Sequence, residues 1–129
     1  MPPDETSARV DDMRRSVLIV DDHAAFRAAA RELLEAGAFD VVGEAEDGAS
    51  ALARAEELRP DVVLLDIQLP DLDGFAVAER LAEHGAAPAI VLTSSRSVTT
   101  FRRRLAENPS LRFIPKTELS EQTLAVAVA

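Results

Sequence analysis

A chain of 129 residues, 47% hydrophobic and 29% charged, has the size and composition of one ordinary globular domain rather than of a disordered segment. Its 14 Lys and Arg stand against 23 Asp and Glu, a net charge of −9, and with five Phe but no Trp or Tyr it is poorly equipped for nucleic acid, which calls for cationic grooves and stacking rings. The lack of Cys excludes disulfides, thiolate zinc sites, iron–sulfur clusters and thiol catalysis.

Residues 1–16, MPPDETSARVDDMRRS, are polar and have no apolar core of the secretory-signal kind. Residues 1–15 read as a flexible leader before one domain over 16–129. The apolar stretch Ala86 to Leu92 contains Pro88 and is far too short to cross a membrane, so a cytoplasmic protein without membrane association is expected.

Val17-Leu18-Ile19-Val20 is an uninterrupted apolar run that stops at Asp21. Phe26, Ala29, Ala30, Leu33 and Leu34 then recur at helical spacing, and Gly37 follows as a natural stop. Val41 to Ala45 is a weaker strand candidate, after which Leu52, Ala55 and Leu58 mark a second helix ending before Pro60. Val62-Val63-Leu64-Leu65 stops at Asp66, and Val77, Ala78, Leu81 and Ala82 mark a third helix ending near Gly85. Ala89-Ile90-Val91-Leu92 stops at Thr93, and Val98, Phe101 and Leu105 mark a fourth helix ending before Pro109. Leu111 to Ile114 is again a weak strand. In the last segment Leu124, Val126 and Val128 alternate as a strand does, but a short closing helix continues the series.

Apolar runs without alternation are what strands buried on both faces look like, and internal polar residues place the two weak strands toward the sheet edges. Strands alternating with helices imply a mostly parallel sheet with right-handed crossovers and helices on both faces. Ligands of such folds bind beyond the carboxyl ends of the strands, where strand order reverses.

The residues at those ends are Asp21, Asp22, Asp66, Thr93 and, just past the fifth strand, Lys116. Three carboxylates on one rim repel one another, and a hard divalent cation such as Mg2+ resolves the conflict while keeping positions open for phosphoryl oxygens. The Thr93 hydroxyl and the Lys116 ammonium are the donor and counter-charge that a transferred phosphoryl group needs. Asp66, in the middle of the rim, is the candidate nucleophile, since carboxylates form acyl phosphates.

Four pieces, VLIVDDH (17–23), VVLLDIQLPDLDG (62–74), IVLTSS (90–95) and RFIPK (112–116), together resemble the receiver domains of two-component response regulators. The resemblance implies a flavodoxin-like, doubly wound α/β fold with a five-stranded parallel sheet of order 2-1-3-4-5. It implies that Asp66 is the phosphoacceptor, that Asp21, Asp22 and Asp66 hold Mg2+ with the Gln68 backbone carbonyl, and that no organic cofactor is bound. It further makes Thr93 the switch hydroxyl, Lys116 the partner of the phosphoryl group and Phe113 the aromatic rotamer switch, here without the hydroxyl of the more usual tyrosine.

The implied function is phosphoryl transfer from a histidine kinase or phosphotransfer protein to Asp66, with slow self-dephosphorylation rather than turnover of an external substrate. The downstream protein target, or a second copy, would bind the face made by the fourth helix, fifth strand and fifth helix. Gln68 and Ser95 resemble positions that tune self-dephosphorylation. Pro115 precedes the lysine where the family commonly has a proline after it, so the geometry of the Lys116–Thr117 peptide stays open. DDHAAFR is most like receivers that precede a helix-turn-helix tail, and continuation into an effector domain stays open too.

Blander roles stand beside these. Asp21-Asp22 suits a helix cap, Lys116 a surface lysine, Phe113 permanent core, and His23 an exposed loop residue with no partner histidine at metal-ligand spacing. His84 suits a helix C-terminal charge, and Arg102-Arg103-Arg104 either a solvated face or a docking patch for an acidic partner. Asp71-Leu72-Asp73-Gly74 superficially resembles a phosphatase nucleophile loop, but the buried run ends earlier, at Asp66, so Pro70 to Gly74 reads as the turn into the third helix with Asp73 as its cap. The rival functions are a receiver-fold interaction scaffold independent of phosphate, and a small Mg2+-dependent phosphatase.

Overall fold

The computed structural model describes residues 14–83 and 87–129. The strands are β1 (Arg15–Val20), β2 (Phe39–Ala45), β3 (Val62–Asp66), β4 (Ala89–Ser94) and β5 (Arg112–Pro115). The α-helices are α1 (Ala24–Glu35), α2 (Gly48–Leu58), α3 (Gly74–Ala82), α4 (Val98–Glu107) and α5 (Glu121–Val128), with a 3-10 turn over Lys116–Glu118. The strands form one parallel sheet of order β2-β1-β3-β4-β5, the flavodoxin-like order expected from the sequence.

The alternation within each strand separates two cores. Leu18, Val20, Val63, Leu65, Ile90 and Leu92 pack on the side of α2, α3 and α4, with Ala51, Phe75, Val77 and Phe101. Val17, Ile19, Val62, Leu64, Val91 and Ile114 pack on the other side, against Ala30 and Leu34 of α1 and Leu124 of α5. The three central strands are buried on both faces, which is why their sequences are unbroken apolar runs. Edge strand β2 instead alternates buried and exposed residues from Phe39 and begins two residues before the expected start at Val41.

The helix faces depart from the sequence pattern in particular places. On α1, Leu33 is exposed along with Ala29, so the buried stripe narrows to Ala30 and Leu34 with Phe26 beside them. Val98 at the start of α4 is also exposed. The last segment is helical. It turns Leu124 inward and leaves Val126 79% exposed, because residues two apart cannot share a helix face. A reciprocal capping box between Ser120 and Thr123 starts it.

The first thirteen residues, most of the expected leader, lie outside the described residues, as do the helix end at Gly85 and His84. Of the last two leader residues, Arg14 donates from Nη2 to the Phe39 carbonyl at 2.6 Å and Arg15 opens β1. No helix among the described residues is long and apolar enough to cross a membrane.

Candidate functional site

Parallel pairing carries β1 and β3 to the same rim at the sheet centre. Val20 pairs with Leu65, so the next residues, Asp21 and Asp66, emerge side by side. One strand further, Asp66 and Thr93 are register partners, and the Ile67 N–H donates to the Thr93 carbonyl at 2.9 Å. Lys116 follows β5 on the same edge.

The close approach of α3 fixes the end of β3. A Cβ on Gly74 would lie 2.6 Å from the Asp66 carbonyl oxygen and 2.6 Å from the Ile67 Cα, so only glycine fits there. The Gly74 N–H donates to the Ile67 carbonyl at 2.8 Å, and Asp73 caps α3 by accepting from the Phe75 N–H at 2.7 Å. The turn is therefore helix-capping, as its sequence suggests. Asp71 serves another helix: its two carboxylate oxygens accept from the Gly48 and Ala49 N–H groups at 2.7 and 3.0 Å, at the start of α2.

Asp21, Asp66 and Thr93 are buried, whereas Asp22 is exposed. Lys116 Nζ lies 2.6 Å from Asp21 Oδ2 and 3.3 Å from Asp66 Oδ2, and 4.6 Å above the centre of the Phe26 ring. The Lys116 ammonium is thus the positive partner of the buried Asp21 Oδ2. Asp66 Oδ1 accepts from the Gln68 N–H at 3.0 Å. Burial and the neighbouring Asp21 charge push the Asp66 carboxyl above the ordinary aspartate value, against the pull of the Gln68 N–H and Lys116. Burial opposes ionisation of Lys116 as well, but Asp21 and Asp66 outweigh it and hold the ammonium above the ordinary lysine value.

The blander roles of these residues fare unevenly. The N-cap of α1 is His23, whose side chain does not cap, and neither aspartate caps that helix. Asp21 Oδ1 instead accepts from the His23 N–H at 2.8 Å, while Arg27 donates from Nη1 to the Asp21 carbonyl at 2.6 Å. Ser94 is buried and its Oγ accepts from the Arg96 N–H at 3.0 Å, whereas Thr93 Oγ1 has no hydrogen-bond partner among the described residues. Phe113 is half-buried, its ring 5.9 Å from that of Phe101, which in turn lies 6.3 Å from Phe75. No cis peptide bond occurs among the described residues, so Lys116–Thr117 is trans.

Two relationships escaped the sequence reading. His23 is exposed, as expected, and its Nδ1 lies 3.1 Å from Asp21 Oδ1 and 3.0 Å from Asp22 Oδ1, contacts that the sequence did not suggest. Arg104 is not a free docking cation: it makes a bidentate pair with Asp73 at 2.9 Å through each nitrogen and stacks 4.0 Å over the Phe75 ring. Residues 31 apart leave no trace of such a pair in sequence spacing.

Asp21, Asp22, His23 and Asp66 each offer one ligand atom, and these atoms lie within 4.8 Å of one another. Three carboxylates against the single ammonium of Lys116 leave a surplus of negative charge. Oxygen donors of this kind fit a hard divalent cation.

A family model described as the response regulator receiver domain matches residues 17–129. BvgA of Bordetella pertussis, named as a transcription regulator of virulence factors, is 35% identical over 117 residues, which cover 91% of this chain and 56% of that protein. The protein-glutamate methylesterase/protein-glutamine glutaminase 5 of Myxococcus xanthus is 48% identical over 80 residues, 61% of this chain and 23% of that one. The chain thus spans about half the length, or less, of these curated relatives. Among solved structures, the signal receiver domain of NarL from Mycobacterium tuberculosis matches with a TM-score of 0.75 at 30% identity, covering 88% of this chain and 96% of that one. The response regulator domain of CheB from Thermotoga maritima matches with a TM-score of 0.71 at 28% identity, covering 88% of each.

Proposed function

Because this chain belongs to the response regulator receiver domain family, we propose that it accepts a phosphoryl group on Asp66 from the phosphohistidine of a histidine kinase or phosphotransfer protein. The observation that carries this reading is the neighbourhood of Asp66: a buried carboxylate 3.3 Å from an ammonium and paired in register with Thr93, whose hydroxyl has no hydrogen-bond partner among the described residues.

An Asp66 carboxylate oxygen forms a bond to phosphorus as the phosphorus–nitrogen bond of the donor breaks and its electron pair leaves with the imidazole. Asp21, Asp22 and Asp66, with the Gln68 carbonyl, are the residues to hold Mg2+, which neutralises charge on the phosphoryl oxygens when bound. Lys116 provides a second positive group, already 3.3 Å from Asp66 Oδ2 before transfer. The Thr93 hydroxyl gains a hydrogen-bond acceptor in the new phosphoryl oxygens and so favours the phosphorylated arrangement.

Movement of Thr93 toward that group lets Phe113 turn inward from its half-buried place against Phe101. The surface of α4, β5 and α5 then changes shape and binds a downstream protein or a second copy of the chain. In this reading the chain is a cytoplasmic signalling phosphoacceptor that hydrolyses its own acyl phosphate slowly and turns over no external substrate. Incubation with acetyl phosphate and MgCl2 is expected to add one hydroxylamine-labile phosphoryl group, with none added when EDTA replaces the cation. Labelling of equal extent in EDTA would overturn the cation's part in the reading, and no labelling with the fold intact would favour a scaffold.

A further inference from the structure

We infer that Phe26 is a positioning residue for phosphoryl transfer: the face of its ring holds the Lys116 ammonium at the rim and keeps hold of it as the cation passes from the Asp66 carboxylate to the phosphoryl group. The inference rests on the reading of Asp66 as phosphoacceptor and of Lys116 as the partner of its phosphoryl group, and it adds a residue of α1 to that pair.

A lysine side chain is a flexible four-carbon stem with three donors at its tip, so its partners decide where the charge stands. Two partners of Lys116 are carboxylates, Asp21 Oδ2 at 2.6 Å and Asp66 Oδ2 at 3.3 Å. The third is the Phe26 ring, whose centre lies 4.6 Å from Nζ, within the distance at which an aromatic face attracts a cation. The Lys116 side chain is only 15% exposed, and such attraction is strongest where water is kept away. Phe26 sits in the first turn of α1, the helix that begins just past Asp21 and Asp22, and packs against the core shared by α1 and α5. Ala30 and Leu34 of the same stripe are wholly buried, whereas Phe26 is only partly so. The stripe thus leaves the core where Lys116 stands, with the ring anchored below by packing.

Transfer changes what the ammonium faces. With acetyl phosphate as donor, an Asp66 oxygen forms a bond to phosphorus while the phosphorus–oxygen bond to the acetyl group breaks and acetate leaves with its electron pair. The Asp66 carboxylate becomes an uncharged acyl group, and the negative charge now lies on the phosphoryl oxygens. A hydrogen bond to Asp66 is directional and is lost when the ammonium swings away. A ring face attracts the cation through its quadrupole and needs no single donor direction, so Lys116 reaches the phosphoryl oxygens without giving up Phe26. An aliphatic side chain in the same place fills the space but leaves the ammonium with the carboxylates alone.

Lys116 is the only lysine of the chain, so selective 13C-lysine labelling gives one side-chain signal to follow by NMR. The ring current of Phe26 is expected to place the protons of its ε-carbon upfield of free lysine in wild type and in Phe26→Tyr, which keeps the ring face. In Phe26→Leu and Phe26→Met, two ring-free apolar variants whose folds circular dichroism checks, the signal is expected to return toward the free position. The rate of phosphorylation of the intact chain by acetyl phosphate at saturating MgCl2 is expected to fall about fivefold in the ring-free variants and to hold within about twofold in Phe26→Tyr, the scale of one shielded cation–ring contact. Mg2+ affinity is expected to stay within about twofold of wild type throughout, because the contact removed is with the lysine. An unshifted Lys116 signal in wild type, or equal rates in wild type and a ring-free variant, would overturn the inference and leave the phosphoacceptor reading standing. A loss of rate shared by Phe26→Tyr, or matched by a fall in Mg2+ affinity, would also overturn it, since packing and not the ring face would then set the rate. Wild type that binds Mg2+ but takes no phosphoryl group would overturn the phosphoacceptor reading and with it the role of Phe26.

Discussion

Lys116 lies closer to Asp21 than to Asp66, 2.6 Å against 3.3 Å, so the lysine expected to meet a phosphoryl group on Asp66 is held mainly by the neighbouring acid. Both carboxylates are buried, and the lysine is their shared cation. Lys116→Ala therefore leaves two adjacent buried charges without compensation and is expected to destabilise the fold by about 3 kcal/mol. Urea denaturation checks the value. Saturating Mg2+ should restore about 2–3 kcal/mol to this variant, as for any ligand at a hundred times its dissociation constant that binds only the folded state. An unchanged midpoint in Lys116→Ala would mean the lysine carries no such burden.

Asp66→Asn is expected to stabilise the metal-free protein by about 1 kcal/mol, the scale of one unfavourable charge contact relieved. Burial and Asp21 raise the Asp66 carboxyl, so its folded value lies above its unfolded one. The stability linked to that shift is fully present below the unfolded aspartate value and is lost as pH rises through the folded value. The advantage of Asp66→Asn over wild type should then shrink as pH falls through the same window. Melting temperatures of both proteins from neutral to acid pH give the test, and a gap that widens toward acid would contradict it.

Asp73 behaves with the opposite sign. Burial works against its ionisation, but the Arg104 bonds and the Phe75 N–H outweigh burial and hold its carboxyl below the ordinary value. Its contribution is fully present above the unfolded aspartate value and lost as pH falls through the lowered folded one. Asp73→Asn keeps a competent N-cap for α3 but removes the charged pair with Arg104. The expected loss at neutral pH is about 0.5–1 kcal/mol, the scale of a partly exposed ion pair, converging on wild type in strong acid. Chemical denaturation at the two extremes measures it.

Gly74→Ala is expected to cost about 2 kcal/mol, the cost of overpacking, because its Cβ would meet backbone rather than a flexible side chain. The same clash displaces the end of β3, so Mg2+ affinity should fall along with stability. Denaturation and cation titration of one preparation report both effects, and a variant as stable as wild type would show that α3 can move away freely.

The architecture was readable wherever burial on both faces left a signature. Val17–Val20, Val62–Leu65 and Ala89–Leu92 are apolar at every position because helices cover both sides, and the polar residues ending each run mark the rim. Asp21, Asp66, Thr93 and Lys116 were legible for that reason: each is the first residue past a strand interior or close to it. The last segment was harder, because Leu124, Val126 and Val128 carry an alternation that the helix does not use. The partners of His23 and Arg104 were not legible. A ring turned back onto two preceding carboxylates and an ion pair between α4 and the cap of α3 depend on side-chain direction and on packing between distant segments.

The central claim is that phosphorus comes to rest on Asp66. Borohydride reduction of the protein after phosphorylation with acetyl phosphate and Mg2+, followed by peptide mapping, locates an acyl phosphate by converting its carbonyl carbon to an alcohol. Modification is expected at Asp66 and nowhere else, and its absence from Asp66, with another carboxylate modified in its place, would contradict the account.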